Sequence, residues 1–326
     1  MSLPERLSSL VRGPGSASHP LHHLLATLRA NRALATGLAA ATALLAAAGL
    51  APLAARTISD YRAWLAVDAG GLPHNFFGYL VNVAMQPFAR SDTRAVPAPY
   101  ASRDASVRAL YGAEAYESYL SSTTLPLPAR RGPRPDVPRF TAPQRQTTQM
   151  AVPYRVSSPS SLSSEVVDDI LERQVAFLAA VAAANPGVAR RAPSAAEGGY
   201  HQALWLADGP GSGEGSGEGK GKGGLVRPRW MGMLRGEFAH PHGEGSAHVV
   251  LSLTDAATLI EKGWAERHPL SGVRGFLPWG FVFVYAPRDE DELAVWKDIV
   301  LASVRFVATA AAAPGSGKQV IAMPEE

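Results

Sequence analysis

Apolar and polar residues alternate with several different periods along this chain, and each period predicts a different element. Ala33 to Ala55 is an uncharged run of 23 residues, flanked by Arg29 and Arg32 before it and Arg56 and Arg62 after it. A bilayer core takes about 20 apolar residues in one helix, so residues 33–55 are expected to form a single-pass anchor. Helical spacing then recurs in Ile58–Val67 and in Phe76–Phe88, two short apolar helices. Asp104–Leu120 reads as another helix, with Asp104 as its N-cap. Residues 123–160 are rich in proline and serine and read as a tether. Ser164–Ala184 is amphipathic, with Val167, Ile170, Leu171, Gln174, Phe177, Leu178 and Val181 on one face.

Beyond residue 200 the period shifts toward two. His201–Ala207, Trp230–His242, Ala247–Leu253 and Phe281–Ala286 read as extended segments. A Gly/Ser/Glu/Lys run over 209–224 reads as a flexible loop. It is not a phosphate-binding loop, because no Gly-Lys-Ser or Gly-Lys-Thr ending precedes a helix. Thr254 is expected to cap a helix that stops at Gly263. Asp289 is expected to open a last helix whose stripe is Leu293, Trp296, Ile299, Val300, Val304 and Val307. The fold class that follows is α+β, a mostly antiparallel sheet covered by helices and preceded by an N-terminal transmembrane helix. The expected organisation is a tail over 1–32, the anchor over 33–55, a helical and Pro-rich connection over 56–160, an α+β domain over 161–308 carrying the 209–224 insert, and a tail over 309–326.

Composition narrows the chemistry. The chain has no cysteine, which removes disulfides, thiolate metal sites and cysteine nucleophiles. Its net charge of +3 comes from the first 56 residues, which hold five arginines and one acid. The remainder has no basic stripe, so nucleic acid is not an expected partner. The Arg-rich, acid-poor start also fits a mitochondrial presequence, but an endomembrane anchor is the preferred location.

Histidine is the remaining signal. Of nine histidines, His201, His240, His242, His248 and His268 lie in the C-terminal part. His240 and His242 share a strand face. A five-residue loop over 243–247 would set His248 opposite His242 on that face, whereas a four-residue loop would turn it away. Glu237 starts on the opposite face unless a bulge intervenes. Such a cluster suits an open metal site, metal-free acid–base work, or a hydrogen-bonded polar core. Trp264 offers a flat apolar surface and Arg267 a cation for an oxyanion, or both simply pack.

Three segments carry a resemblance: Glu237–Leu253 (EFAHPHGEGSAHVVLSL), Lys262–Gly272 (KGWAERHPLSG) and Phe281–Leu293 (FVFVYAPRDEDEL). They are similar to segments of the fungal luciferase family. Weaker echoes are DYRAWLAV, NFFGYLV, Arg134–Pro135, Gln144–Gln146 and His201. The resemblance implies a luciferase-like oxygenase acting on a hydroxylated styryl-pyrone of the 3-hydroxyhispidin type. Molecular oxygen is the co-substrate, carbon dioxide is released and light can follow, with no flavin or nucleotide. It makes Glu237, His240, His242, His248 and His268 the candidate catalytic residues. Trp264, Arg267 and His201 become the candidate binding residues for a small aromatic substrate. A histidine-bound metal stays open. The other classes open to this sequence are a membrane-associated module binding a lipid or small molecule, and a His-metal-dependent enzyme. The 209–224 insert and the short stretch between His242 and His248 depart from the family pattern.

Overall fold

The computed structural model describes residues 29–65, 72–101, 105–134, 164–195, 201–207, 225–243, 245–273, 276–313 and 317–324. The expected cap at Asp104, most of the Pro/Ser-rich tether and the 209–224 insert lie outside them. The chain divides into two units, Met1–Ser59 and Asp60–Glu326.

Helix α1 spans Arg32–Leu65. Asn31 begins it by accepting the Leu34 N–H through Oδ1 at 3.1 Å. The apolar run and the short helix expected after it form one continuous helix. Nothing breaks it at Arg56-Thr57, because both residues tolerate helix and Thr57 donates its hydroxyl back to the Leu53 carbonyl. Thr36 and Thr42 do the same toward Arg32 and Leu38, so the few hydroxyls in the run are satisfied internally. The helix is long and apolar enough to cross a membrane, with a mean hydropathy of 1.9 in its most apolar stretch. A signal sequence near an N-terminus passes the same test of length and composition.

In the second unit, Trp64 is sealed against Tyr79 and Tyr61. Tyr79 lies on helix α2, Phe76–Met85, which Asn75 caps by accepting the Gly78 N–H. Gly78 is required there: a Cβ would stand 1.9 Å from the Pro73 carbonyl oxygen. Phe76, Phe77, Leu80 and Val83 of α2 are exposed.

Helix α3 is Ala98–Ala101. The single helix expected over Asp104–Leu120 is two pieces, helix α4 over Ala105–Tyr111 and a 3-10 turn over Ala113–Tyr116. Gly112, at φ +82°, ends α4. The break lets Tyr111 stack on Trp230 and Tyr119 pack on Phe306, at 5.4 and 5.6 Å between ring centres.

Helix α5, Ser164–Ala184, has the expected extent. Six strands follow: β1 Ala189–Pro193, β2 Gln202–Leu206, β3 Glu237–Pro241, β4 Ala247–Val250, β5 Ala265–Arg267 and β6 Phe281–Val284. Helix α6, Leu253–Glu261, separates β4 from β5, and α7, Glu290–Ala311, follows β6. The sheet order is β1-β2-β3-β4-β6-β5 and every strand pair is antiparallel. The architecture is α+β, as the sequence predicts.

Two strands escape the apolar pattern. β1 carries Arg190 and Arg191, and β5 carries Glu266 and Arg267; both are edge strands, and the buried Glu266 and Arg267 are held by Arg94 and Tyr285 and by Asp92. The expected strand over Trp230–His242 is shorter, because Arg229–Leu234 is a 3-10 turn. The α6 cap is Ser252, not Thr254: Ser252 Oγ accepts the Asp255 N–H at 3.1 Å. Asp289 caps α7 by accepting the Glu292 N–H at 3.0 Å.

The core lies between the sheet and helices α5 and α7. Leu204, Ala239, Val249 and Val282 are register partners across four strands and share one sheet face. That face meets Trp296, Ile299, Val300, Val304 and Val307 of α7 in the hydrophobic core. Burying side chains of this size stabilises the fold by about 1.5–3 kcal/mol each. The opposite face of the same strands carries the histidines.

Candidate functional site

The site begins with a tight hairpin. His242 N–H donates to the Ser246 carbonyl at 2.7 Å, and Gly245 N–H donates back to His242 at 2.9 Å. The turn therefore has three residues, 243–245, with Gly245 at φ +90°. This pairs His240 directly with His248. The turn is neither the five-residue nor the four-residue loop weighed from the sequence. Three, like five, is odd, so His240, His242 and His248 share a face.

The next strand completes the wall. His248 is the register partner of Phe283 on β6, which is the partner of Glu266 on β5. His268 follows β5 and donates its N–H to Phe281. Ring centres lie 5.2 Å apart for His240–His242, 5.3 Å for His240–His248, 4.7 Å for His242–His248 and 5.3 Å for His248–His268. His201 stands 6.1 Å from His242. All but His201 are about 1% exposed. Phe281 stacks on His248 at 4.7 Å and Phe283 on His242 at 5.9 Å, forming apolar backing.

Glu237 joins the cluster by a bulge. Leu204 pairs with Ala239, but the next residue, Trp205, pairs with Glu237. One extra residue on β3 turns Glu237 onto the histidine face. Its Oε1 meets His240 Nδ1 at 2.6 Å. Ser194 Oγ donates to Oε1 at 2.6 Å and the Ala195 N–H to Oε2 at 2.8 Å. Burial raises the Glu237 pKa, but attraction to His240 and these hydrogen bonds outweigh it and hold the carboxyl below its usual value. It is an ion inside the protein.

Two other imidazoles are oriented by different partners. His242 Nδ1 shares a 2.8 Å hydrogen bond with Ser246 Oγ. His268 Nδ1 accepts the Leu270 N–H at 3.0 Å, so neutral His268 carries its proton on Nε2. Burial, then His242 and His240, drive the His268 pKa from 6.5 to about 3. Burial and the charges His242, His240 and His268 would carry hold His248 well below its usual value. Both are neutral imidazoles at physiological pH.

Trp264 and Arg267 are not brought to the histidines. Trp264 donates its indole N–H to the Pro128 carbonyl at 2.7 Å and packs in the core. Arg267 pairs with Val282, so it leaves the opposite face from His268. It donates to the Asp92 carbonyl and carboxylate, both at 2.7 Å, beneath Trp279. The sequence reading passed over Ser194, Ser246, Phe281 and Phe283. Period-two spacing from His248 across β6 could have found the phenylalanines. It also passed over Glu266, which is buried and holds Tyr285 and Arg94 at 3.1 and 3.0 Å.

Three nitrogen atoms, one each from His240, His242 and His248, lie within 4.8 Å of one another. The arrangement is thus a buried group of imidazoles, one of them held by a carboxylate, that can accept a proton, hold a developing anion or ligate a metal.

Comparison with known proteins adds a likeness over part of the chain. Residues 235–303 match the luciferase domain model. Luciferases of Armillaria gallica and Armillaria mellea are each 41% identical over 75 residues, covering 22% of this chain and 28% of the relative. The luciferase of Neonothopanus nambi is 40% identical over the same length. The match thus spans under a third of the curated relatives. No solved structure matches the chain. The hairpin, the His268 segment and most of α7 all lie within the matched residues, so the C-terminal part of this chain is similar to the luciferase domain of the fungal luciferases.

Proposed function

We propose that the chain is a luciferase-type oxygenase whose substrate is a hydroxylated styryl-pyrone or a related electron-rich phenol, held against the histidine face of the sheet. The observation that carries this reading is the Glu237–His240 pair inside a buried histidine cluster. A carboxylate on Nδ1 stabilises the imidazolium that forms when an imidazole takes a proton. The cluster is then the place where the enol loses its proton. The enolate carbon donates electrons to molecular oxygen, which is the oxidant. Closure across the pyrone ring gives a cyclic peroxide; breaking its O–O bond together with the two ring bonds that hold the lactone carboxyl unit releases carbon dioxide and leaves two carbonyl groups on the product. Phe281 and Phe283 keep the site dry, which protects a peroxide from water. Catalytic roles go to Glu237, His240, His242, His248 and His268, with His201 at the rim as a binding residue. Helix α1 anchors the protein to an internal membrane in a single pass.

The test mixes the full-length protein in detergent with 3-hydroxyhispidin in air and records photons and oxygen uptake together. Light with uptake supports a luciferase. Uptake without light supports a dark oxygenase on the same chemistry. Neither signal from folded protein overturns the reading and favours a non-catalytic, membrane-associated binding module. The exposed Phe76, Phe77, Leu80 and Val83 of α2 are the observation on that side.

A further inference from the structure

We infer that His240, His242 and His248 form a binding site for one divalent transition-metal ion, such as Fe(II), Co(II), Cu(II) or Zn(II). The inference deepens the oxygenase reading by naming what occupies the same side chains, and it is tested without substrate.

Geometry carries it. The three ligand nitrogens lie within 4.8 Å of one another. Around a bound ion with bonds of about 2.0–2.1 Å, ligand nitrogens stand about 3.3 Å apart, so side-chain rotation of an ångström or so closes the set. The backbone is already in place: two ligands come from β3 and its turn, the third from β4, directly paired across an antiparallel ladder.

Outer partners fit the same picture. Metal-bound histidines typically have their other ring nitrogen held by a carboxylate, hydroxyl or carbonyl, which fixes the tautomer. Glu237 holds His240 Nδ1 at 2.6 Å, and Ser246 holds His242 Nδ1 at 2.8 Å. Glu237 is itself held by Ser194 and Ala195. Phe281 and Phe283 supply the apolar backing.

Donor chemistry selects the ion. Three imidazoles and no oxygen ligand disfavour Mg(II) and Ca(II) and suit the later first-row metals. Three neutral ligands leave the ion its full charge and at least one open position, where an enolate oxygen can bind. His268 is excluded as a ligand, because its Nδ1 accepts the Leu270 N–H and its Nε2 keeps the proton.

The experiment strips the full-length protein in detergent with a chelator, then adds Zn(II) or Cu(II) alone. The expected result is saturation at about one ion per chain, a rise in Tm as native-state binding requires, and nitrogen hyperfine structure on the Cu(II) electron paramagnetic resonance signal. His242→Asn and His248→Asn should each weaken binding by about 10–100-fold, Glu237→Gln by about tenfold, and His268→Asn should keep the stoichiometry. Folded wild-type protein that shows no Tm shift and only oxygen-ligated Cu(II) overturns the inference. So does wild-type affinity in folded His242→Asn and His248→Asn. Metal binding without oxygen uptake leaves this inference standing and removes the oxygenase reading. Oxygen uptake by protein that binds no ion does the reverse.

Discussion

The two faces of the central sheet are equally sealed and chemically opposite. On β4, Val249 and His248 are neighbours; the first is fully buried and the second 1% exposed. Val249 meets the apolar stripe of α7, and its burial stabilises the fold directly. His248 meets three other imidazoles and two phenylalanines, and burying a polar ring costs free energy unless partners satisfy it. A single-residue offset along the strand thus separates the apolar core face from the face on which the proposed chemistry rests.

That separation can be broken from either side. The largest effect is expected on the histidine face. His242→Ala should lower substrate-dependent oxygen uptake by about 10²–10⁴-fold, with little change in the circular dichroism melt. Wild-type turnover in that variant removes His242 from the mechanism. On the other face, Ile299→Ala should cost about 2–5 kcal/mol in denaturant unfolding and leave turnover per folded molecule intact. If Ile299→Ala abolished turnover in protein that stayed folded, the faces would not be independent.

Acid should weaken the histidine face. His268 sits near 3 in the fold against an ordinary 6.5, and His248 is lowered in the same direction. Each stays neutral when folded and takes a proton below about 6.5 when unfolded. The unfolded state therefore binds more protons between those values, and stability rises with pH there. It should be complete above about pH 6.5 and fall as the solution is acidified, by about 1.4 kcal/mol per pH unit for each histidine. Unfolding curves for the metal-free protein between pH 7 and 4 check this; a flat profile contradicts it.

Smaller effects sharpen the same comparison. Glu237→Gln keeps the shape of the side chain but removes the charge that orients His240. Turnover should fall about tenfold, with the loss concentrated in kcat rather than KM. An unchanged kcat would make the pair structural. Removing 209–224 should change stability by less than about 1 kcal/mol, since closing a flexible loop costs little. Lost turnover in that deletion would place the loop over the site.

Much of this arrangement is present in the primary sequence. The α5 extent, the Asp289 cap of α7 and the α7 stripe follow from helical period and cap chemistry, which act within a few residues. The three segments similar to fungal luciferases fall within residues 235–303, which match the luciferase domain model. The same-face placement of His240 and His242 needs only the alternation of a strand.

Other features needed partners distant in sequence. β1 and β5 are strands because a neighbour supplies their hydrogen bonds, and the buried charges of β5 are satisfied by Arg94, Tyr285 and Asp92. The Asp104–Leu120 helix is broken because Tyr111 and Tyr119 reach partners on other elements. Glu237 reaches His240 through a bulge against β2, which no local pattern announces. Arg267 faces away from the histidines because Val282 is its partner. Sequence periodicity therefore determined which residues could share a face, since that depends on local geometry. Tertiary pairing decided which of them meet, since register and bulges exist only between strands.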